Sequence, residues 1–120
     1  MPAEVVVYKV LRSAEWDALA REGVFAGSPD DARDGFIHLS AAKQLEGTLV
    51  RHFCRPEDRQ VVLIAMPVEA LGEALRWEPS RDGRRFPHLY AGLRLADVSW
   101  RETIARDAAG HYVLPERIGS

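Results

Sequence analysis

Two histidines carry the chemistry this sequence offers. His38 lies in Gly35-Phe36-Ile37-His38-Leu39-Ser40 and His88 in Phe86-Pro87-His88-Leu89-Tyr90. Histidine is the side chain best suited to proton transfer near neutral pH. Phe36, Ile37 and Leu39 favour a strand, and strand alternation sets Phe36, His38 and Ser40 on one face. That face would offer an imidazole and a hydroxyl to one ligand at the carboxyl end of a short strand. Ser40 has a second role open to it, as cap of the helix that follows. In the other stretch the same alternation puts His88 and Tyr90 together. The plainer explanation competes at each position: a ring nitrogen bonded to a backbone carbonyl or a carboxylate, with Phe86 and Tyr90 as packing residues.

Three further groups surround this pair. Glu78 directly follows Trp77 and precedes Pro79, so an apolar wall would disfavour its charged form and suit an acid/base or ribose-binding role. An edge charge paired with Arg76 or Arg81 explains it as well. Arg81, Arg84 and Arg85 place three arginines within five residues. Arginine forks hold phosphate bidentately, although each alone is also an ordinary solvated turn residue. His52 and Cys54 lie near a helix end without metal-ligand spacing, so no metal is expected. His111 reads as a surface residue. The chain lacks a Gly-rich phosphate loop, a Gly-x-Ser-x-Gly elbow and a His-Glu-x-x-His pair, which removes the commonest nucleotide, hydrolase and zinc-protease readings.

The elements that must position these residues follow from periodicity. Val5 to Leu11 is β-branched and nearly continuous, a largely buried strand. Ser13 offers an N-cap and Glu15 a first-turn charge to a helix carrying Ala14, Trp16, Leu19 and Ala20 and stopped at Gly23. Gly27 to Asp34 reads as an Asp-rich loop. Ala42, Leu45, Leu49 and Phe53 mark a second helix from about Ala41 to His52 or Phe53. Val61 to Met66 has no polar alternation, so it is expected to be a central strand covered on both faces. Val68 to Leu75 suggests a helical turn, Arg76 to Ser80 a strand edge ended by Pro79, and Phe86 to Tyr90 an extended segment. Val98 to Ile104 and His111 to Leu114 read as a hairpin across the Asp107–Gly110 turn. The expectation is one α+β domain over residues 1–120, with five to seven short strands and two main helices.

Composition sets outer limits. A chain of 120 residues, 47% hydrophobic and 28% charged, suits one soluble domain. A formal net charge of −2 argues against gripping extended nucleic acid. The single cysteine cannot form an intrachain disulfide, which suits a reducing, cytoplasmic setting. Neither a signal peptide nor a membrane span is expected.

Val7-Tyr8-Lys9-Val10, Trp16, Phe25-Ala26-Gly27-Ser28, Asp34 to Ser40, Trp77-Glu78-Pro79 and Phe86 to Tyr90 together resemble a bacterial family of domains of unknown function, the one numbered nine-five-two. The resemblance runs from about Val5 to Trp100 and leaves out the tail. That family has been grouped with the ADP-ribosyltransferase superfamily. The resemblance therefore implies a compact fold with a split, mostly antiparallel sheet and an NAD-type cleft between its halves. His38-Leu39-Ser40 is similar to that superfamily's His-Gly-Ser/Thr strand motif in its first and third residues, with Leu39 where Gly is usual. The implied roles are His38 and Ser40 on a ribose, the backbone at 39 on the nicotinamide amide, Tyr90 or Phe86 as the stacking aromatic, and Glu78 as the acid. Arg84 and Arg85 join the cofactor-binding set.

Three functions compete on these grounds. The first is an ADP-ribosyltransferase-like protein that binds NAD or a phosphorylated-ribose ligand, a small nucleotide-like molecule, using His38, His88 and Glu78. The second is a two-histidine phosphoesterase acting on a cyclic phosphate. It needs two His-x-Ser/Thr motifs, and His88-Leu89-Tyr90 ends in Tyr instead. The third is a ligand-binding module without catalysis.

Overall fold

In the computed structural model, which describes residues 5–80 and 83–118, one strand organises the molecule. This is β4 (Gln60–Pro67), the middle strand of a three-stranded sheet. Its flanking strands are β1 (Val6–Leu11) and β8 (Trp100–Ala105), both antiparallel to it, with Lys9 opposite Ile64 and Leu63 opposite Glu102. Val62, Ile64 and Met66 face one apolar cluster, and Val61, Leu63 and Ala65 face another. Two covered faces explain the absence of polar alternation. Each of the large side chains contributes about 1.5–3 kcal/mol by leaving water.

Helix α3 (Leu45–His52) covers the second face with Leu45 and Leu49, joined by Phe53. The first face is covered by Leu19 of α1 (Ser13–Glu22) and by a second three-stranded sheet. That sheet has the order β3 (Ile37–His38), β6 (Arg85–Leu89), β5 (Leu75–Pro79), all antiparallel. Ile37, Leu75 and Leu89 contribute its apolar side. A pair of two-residue strands, β2 (Val24–Phe25) and β7 (Leu93–Arg94), and a short helix α4 (Val68–Leu71) complete the fold. The radius of gyration is 13.6 Å, close to the roughly 14 Å of one compact domain of this length. The fold is thus a single α+β domain with antiparallel sheets. Among the described residues no helix is long and apolar enough to cross a membrane.

Several local features differ from the sequence expectations. The segment expected as an Asp-rich loop contains a helix, α2 (Pro29–Asp34), capped by Ser28, whose hydroxyl accepts from the Asp31 N–H while the Asp31 carboxylate accepts from the Ser28 N–H. Gly35, at φ 87°, ends it in the left-handed region that favours glycine. Ser13 is the first residue of α1 instead of its cap, because the Glu15 carboxylate takes the Arg12 N–H at 2.9 Å. Ser40 does not cap the following helix either. The Ala41 N–H is taken by the Gln44 side chain at 2.9 Å, and a 3₁₀ turn (Ala42–Gln44) leads into α3.

The expected six-residue strand at Gly35–Ser40 is shorter, yet it joins both sheets. His38 pairs with β6, and two residues later Ser40 exchanges both backbone hydrogen bonds with Tyr8 of β1, at 2.8 and 2.9 Å. The terminal hairpin reduces to one bridge, Arg106 opposite Tyr112. Asp107 folds the turn by accepting from the Ala109 and His111 N–H groups. Tyr112 then donates its hydroxyl to the backbone carbonyls of Phe53 and Asp58, drawing the segment toward the end of α3 instead of along β8.

Candidate functional site

The register of β3 against β6 sets His38 directly opposite His88, so both side chains leave the sheet on one face. Their ring centroids are 5.8 Å apart. Phe36 lies over both, stacked on His88 at 3.9 Å and tilted against His38 at 4.6 Å.

The two imidazoles have different partners. His38 is bracketed by one face of α2: Nδ1 lies 2.7 Å from Asp31 Oδ1 and Nε2 lies 2.9 Å from Asp34 Oδ2. Carboxylates only accept, so both contacts are hydrogen bonds at once when the ring carries both protons. Asp31 also accepts from the backbone N–H of Ser28 and of His38 and from Lys9 Nζ at 3.1 Å. Lys9 is itself buried and donates to the His38 carbonyl at 3.0 Å. Burial is the largest single influence on the Asp31 carboxyl and pushes it up. The His38 hydrogen bond, the Lys9 charge and the two backbone N–H groups together outweigh that push and hold it well below the usual carboxylate range. Asp34 is also held low, first by its hydrogen bond from Arg33. Both ring nitrogens of His38 therefore have carboxylate partners within the protein.

His88 is buried and differs in one respect. Its Nδ1 lies 2.8 Å from Glu78 Oε1, which also accepts from the Tyr90 hydroxyl at 2.7 Å. The Tyr90 and His88 hydrogen bonds lower the Glu78 carboxyl, and the bond to Glu78 raises the Tyr90 hydroxyl. The apolar wall expected beside Glu78 does not act on it. Strand alternation turns Trp77 toward the core and leaves Glu78 on the opposite face with two donors. Nδ1 thus donates to an ionised carboxylate, and a neutral His88 ring presents a lone pair at Nε2. That Nε2 is buried and has no hydrogen-bond partner among the described residues. An unsatisfied buried polar atom costs about 1–3 kcal/mol.

His38 and His88 both line a cleft of about 940 Å³ between α2 and α3, at the upper end of the roughly 300–1,000 Å³ of small-molecule sites. Ser40 and Thr48 also line it, their hydroxyl oxygens 2.8 Å apart. Glu78 and Tyr90 support His88 without lining the cleft, and Arg84 and Arg85 stand outside it. Arg85 donates to the Trp77 carbonyl at 3.1 Å, tying β6 to β5, and Arg84 is exposed. Arg81 lies outside the described residues. Four cleft cations are neutralised: Lys9 by Asp31, Arg12 by Asp58, Arg33 by Asp30 and Asp34, and Arg55 by Glu57 and Asp58. Among the described residues, no group of three or more His, Cys, Asp and Glu side chains is placed to hold a metal ion.

Sequence reasoning missed Asp31, Asp34, Lys9, Thr48 and Arg51 as site residues. A signal for the first two was present: Ser28-Pro29-Asp30-Asp31 has a capping residue, proline at the first helical position and an acid at the third. On that helix Asp31 and Asp34 share a face.

No curated protein gives a match. Among solved structures, a crystal structure of protein CC0527 from Caulobacter crescentus is 44% identical, with a TM-score of 0.82 over 91% of this chain and 94% of that one. A solution NMR structure of CC0527 is 45% identical, with a TM-score of 0.78 over 88% of this chain and 90% of that one. The sequence profile of the family described as "Protein of unknown function (DUF952)" matches residues 10–101, most of the chain and both histidine stretches. The chain belongs to the DUF952 family.

Proposed function

We propose that the cleft binds a ribose-bearing ligand of the ADP-ribosyl class, with His88 Nε2 bonding a ribose hydroxyl. The observation that carries this reading is the buried, unpartnered Nε2 on a ring whose other nitrogen is fixed by Glu78. A hydroxyl donor supplied by a ligand satisfies that nitrogen. Phe36, stacked on the ring, holds it in place.

The residues fit the ribose end of NAD better than its nicotinamide end. The Leu39 N–H, which would hold the nicotinamide amide, is already donated to the Pro87 carbonyl at 3.0 Å. Glu78 acts on His88 and Tyr90 and does not reach the cleft lining. Binding of an ADP-ribosyl group therefore ranks ahead of its transfer. The cyclic phosphoesterase ranks behind both, because it needs two imidazoles free to exchange protons and both nitrogens of His38 lie on carboxylates.

Calorimetric titration with ADP-ribose and with NAD, alongside ¹⁵N NMR of the histidine rings, tests this reading. ADP-ribose is expected to release or absorb heat and to move the His88 Nε2 resonance. His88→Ala, checked for a retained thermal transition, is expected to abolish binding. No heat and no change at Nε2 with either ligand overturns the proposal.

A further inference from the structure

One wall of the cleft has unmet hydrogen-bonding and charge capacity that the ribose reading leaves unused. Thr48 and Arg51 both line the cleft from α3, three residues apart and hence neighbours on one helix face. Arg51 is exposed, and among the described residues it has neither an ion pair nor a hydrogen bond, unlike Lys9, Arg12, Arg33 and Arg55. The Ser40 and Thr48 hydroxyls are bonded to each other at 2.8 Å. Two hydroxyls share one proton in such a pair, so one O–H remains without an acceptor among the described residues. A free guanidinium fork beside a spare hydroxyl donor is what a phosphoryl group needs. Arg51 also stands in the last turn of α3, where any cation complements the helix dipole, but that role does not require a place in the cleft.

We propose that the α3 wall is a subsite for a phosphoryl group attached to the ribose, built from Arg51 and the Ser40–Thr48 hydroxyl pair. Resting on the ribose reading, it makes a phosphorylated ribose, and not the bare nucleoside, the preferred ligand. Arg51 meets the phosphate oxygens in a charge-assisted pair, and the spare hydroxyl proton donates to a further oxygen. On the opposite wall Lys9 and Arg33 are already committed to Asp30, Asp31 and Asp34 and have no charge to spare for the same group, which fixes which way the ligand lies.

The test compares AMP, adenosine and inorganic phosphate on the wild-type protein and on Arg51→Gln and Thr48→Val. AMP is expected to bind at least about tenfold more tightly than adenosine, the scale of one charged hydrogen bond. Arg51→Gln is expected to remove that preference and phosphate binding, with at most the small fall in thermal midpoint that the lost helix-dipole contact brings and with unchanged affinity for adenosine. Thr48→Val is expected to reduce the preference in part. Equal binding of AMP and adenosine by the wild type, or a preference that survives Arg51→Gln, overturns the phosphate subsite while leaving the ribose reading intact. Phosphate binding that depends on Arg51, without gain from an attached ribose, upholds the subsite and overturns the ribose reading. Silence from all three probes overturns both.

Discussion

Asp31→Ala is the most informative single change, because the consequences can be worked from the contacts. It removes a carboxylate with side-chain exposure of 2% and leaves Lys9, at 10%, with only the His38 carbonyl. It also strips the acceptor from the Ser28 N–H, the His38 N–H and His38 Nδ1. Stranding one partner of a buried ion pair costs about 3–5 kcal/mol, a large share of the 5–15 kcal/mol that holds such a domain. Urea unfolding measures it: with m of about 1–3 kcal/mol/M the midpoint falls by about 1 M or more. Adding Lys9→Met should return part of the loss, since no buried charge then lacks a partner. A cost under about 1 kcal/mol, or the same cost in the Lys9→Met background, refutes the buried-pair argument. Acid adds a second readout. The folded carboxyl is held below its ordinary value, so its contribution is complete above about pH 4 and lost as pH falls further. Asp58, lowered by Arg12, acts in the same direction and remains in the variant, whereas the Asp31 share of the acid sensitivity disappears.

Glu78→Gln weakens the bond that fixes the His88 tautomer, and ring ¹⁵N shifts should change from an Nδ1-protonated pattern to a mixture; an Nε2-protonated wild-type ring contradicts the assignment. Phe36→Ala removes the 3.9 Å stack on His88 and should cost about 0.5–1.5 kcal/mol beyond the apolar area it exposes by calorimetry, with broadened His88 ring signals. Leu63→Ala opens a hole on the α3 side of β4, where the residue is fully buried, and should cost about 2–5 kcal/mol in urea. A smaller loss would mean that Leu45 and Leu49 collapse into the space.

The central strand was legible because Val61 to Met66 has no polar alternation and so calls for cover on both faces, whereas the choice of β1 and β8 as its neighbours follows from no local pattern. The histidine pair was legible as two motifs, but their opposition depends on the register of β3 against β6, which no local pattern carries. Helix α2 is hard to see in the sequence because Pro, Gly and Asp are also the commonest loop formers, although Ser28, Pro29 and Gly35 occupy cap, first-turn and stop positions. Ser40 illustrates competition between acceptors: it has the chemistry of a cap, yet Gln44 reaches the Ala41 N–H first. Glu78 shows the limit of a neighbour argument. Trp77 is adjacent in sequence and on the other side of the strand, so the environment of the carboxylate is set by His88 and Tyr90.

The segment from His38 to Ser40 has a mechanical consequence. It is laced to β6 at one end and to β1 at the other within three residues, so shear between the two sheets is passed through its backbone as well as through the shared apolar cluster. A ligand wedged against His88 would push on it directly, and the strain would reach Tyr8 through the paired backbone of Ser40. Lengthening the tether by one residue should loosen the link between the sheets and at the same time shift Leu39 out of the apolar cluster that both sheets share, so the gain in freedom comes with a loss of stability.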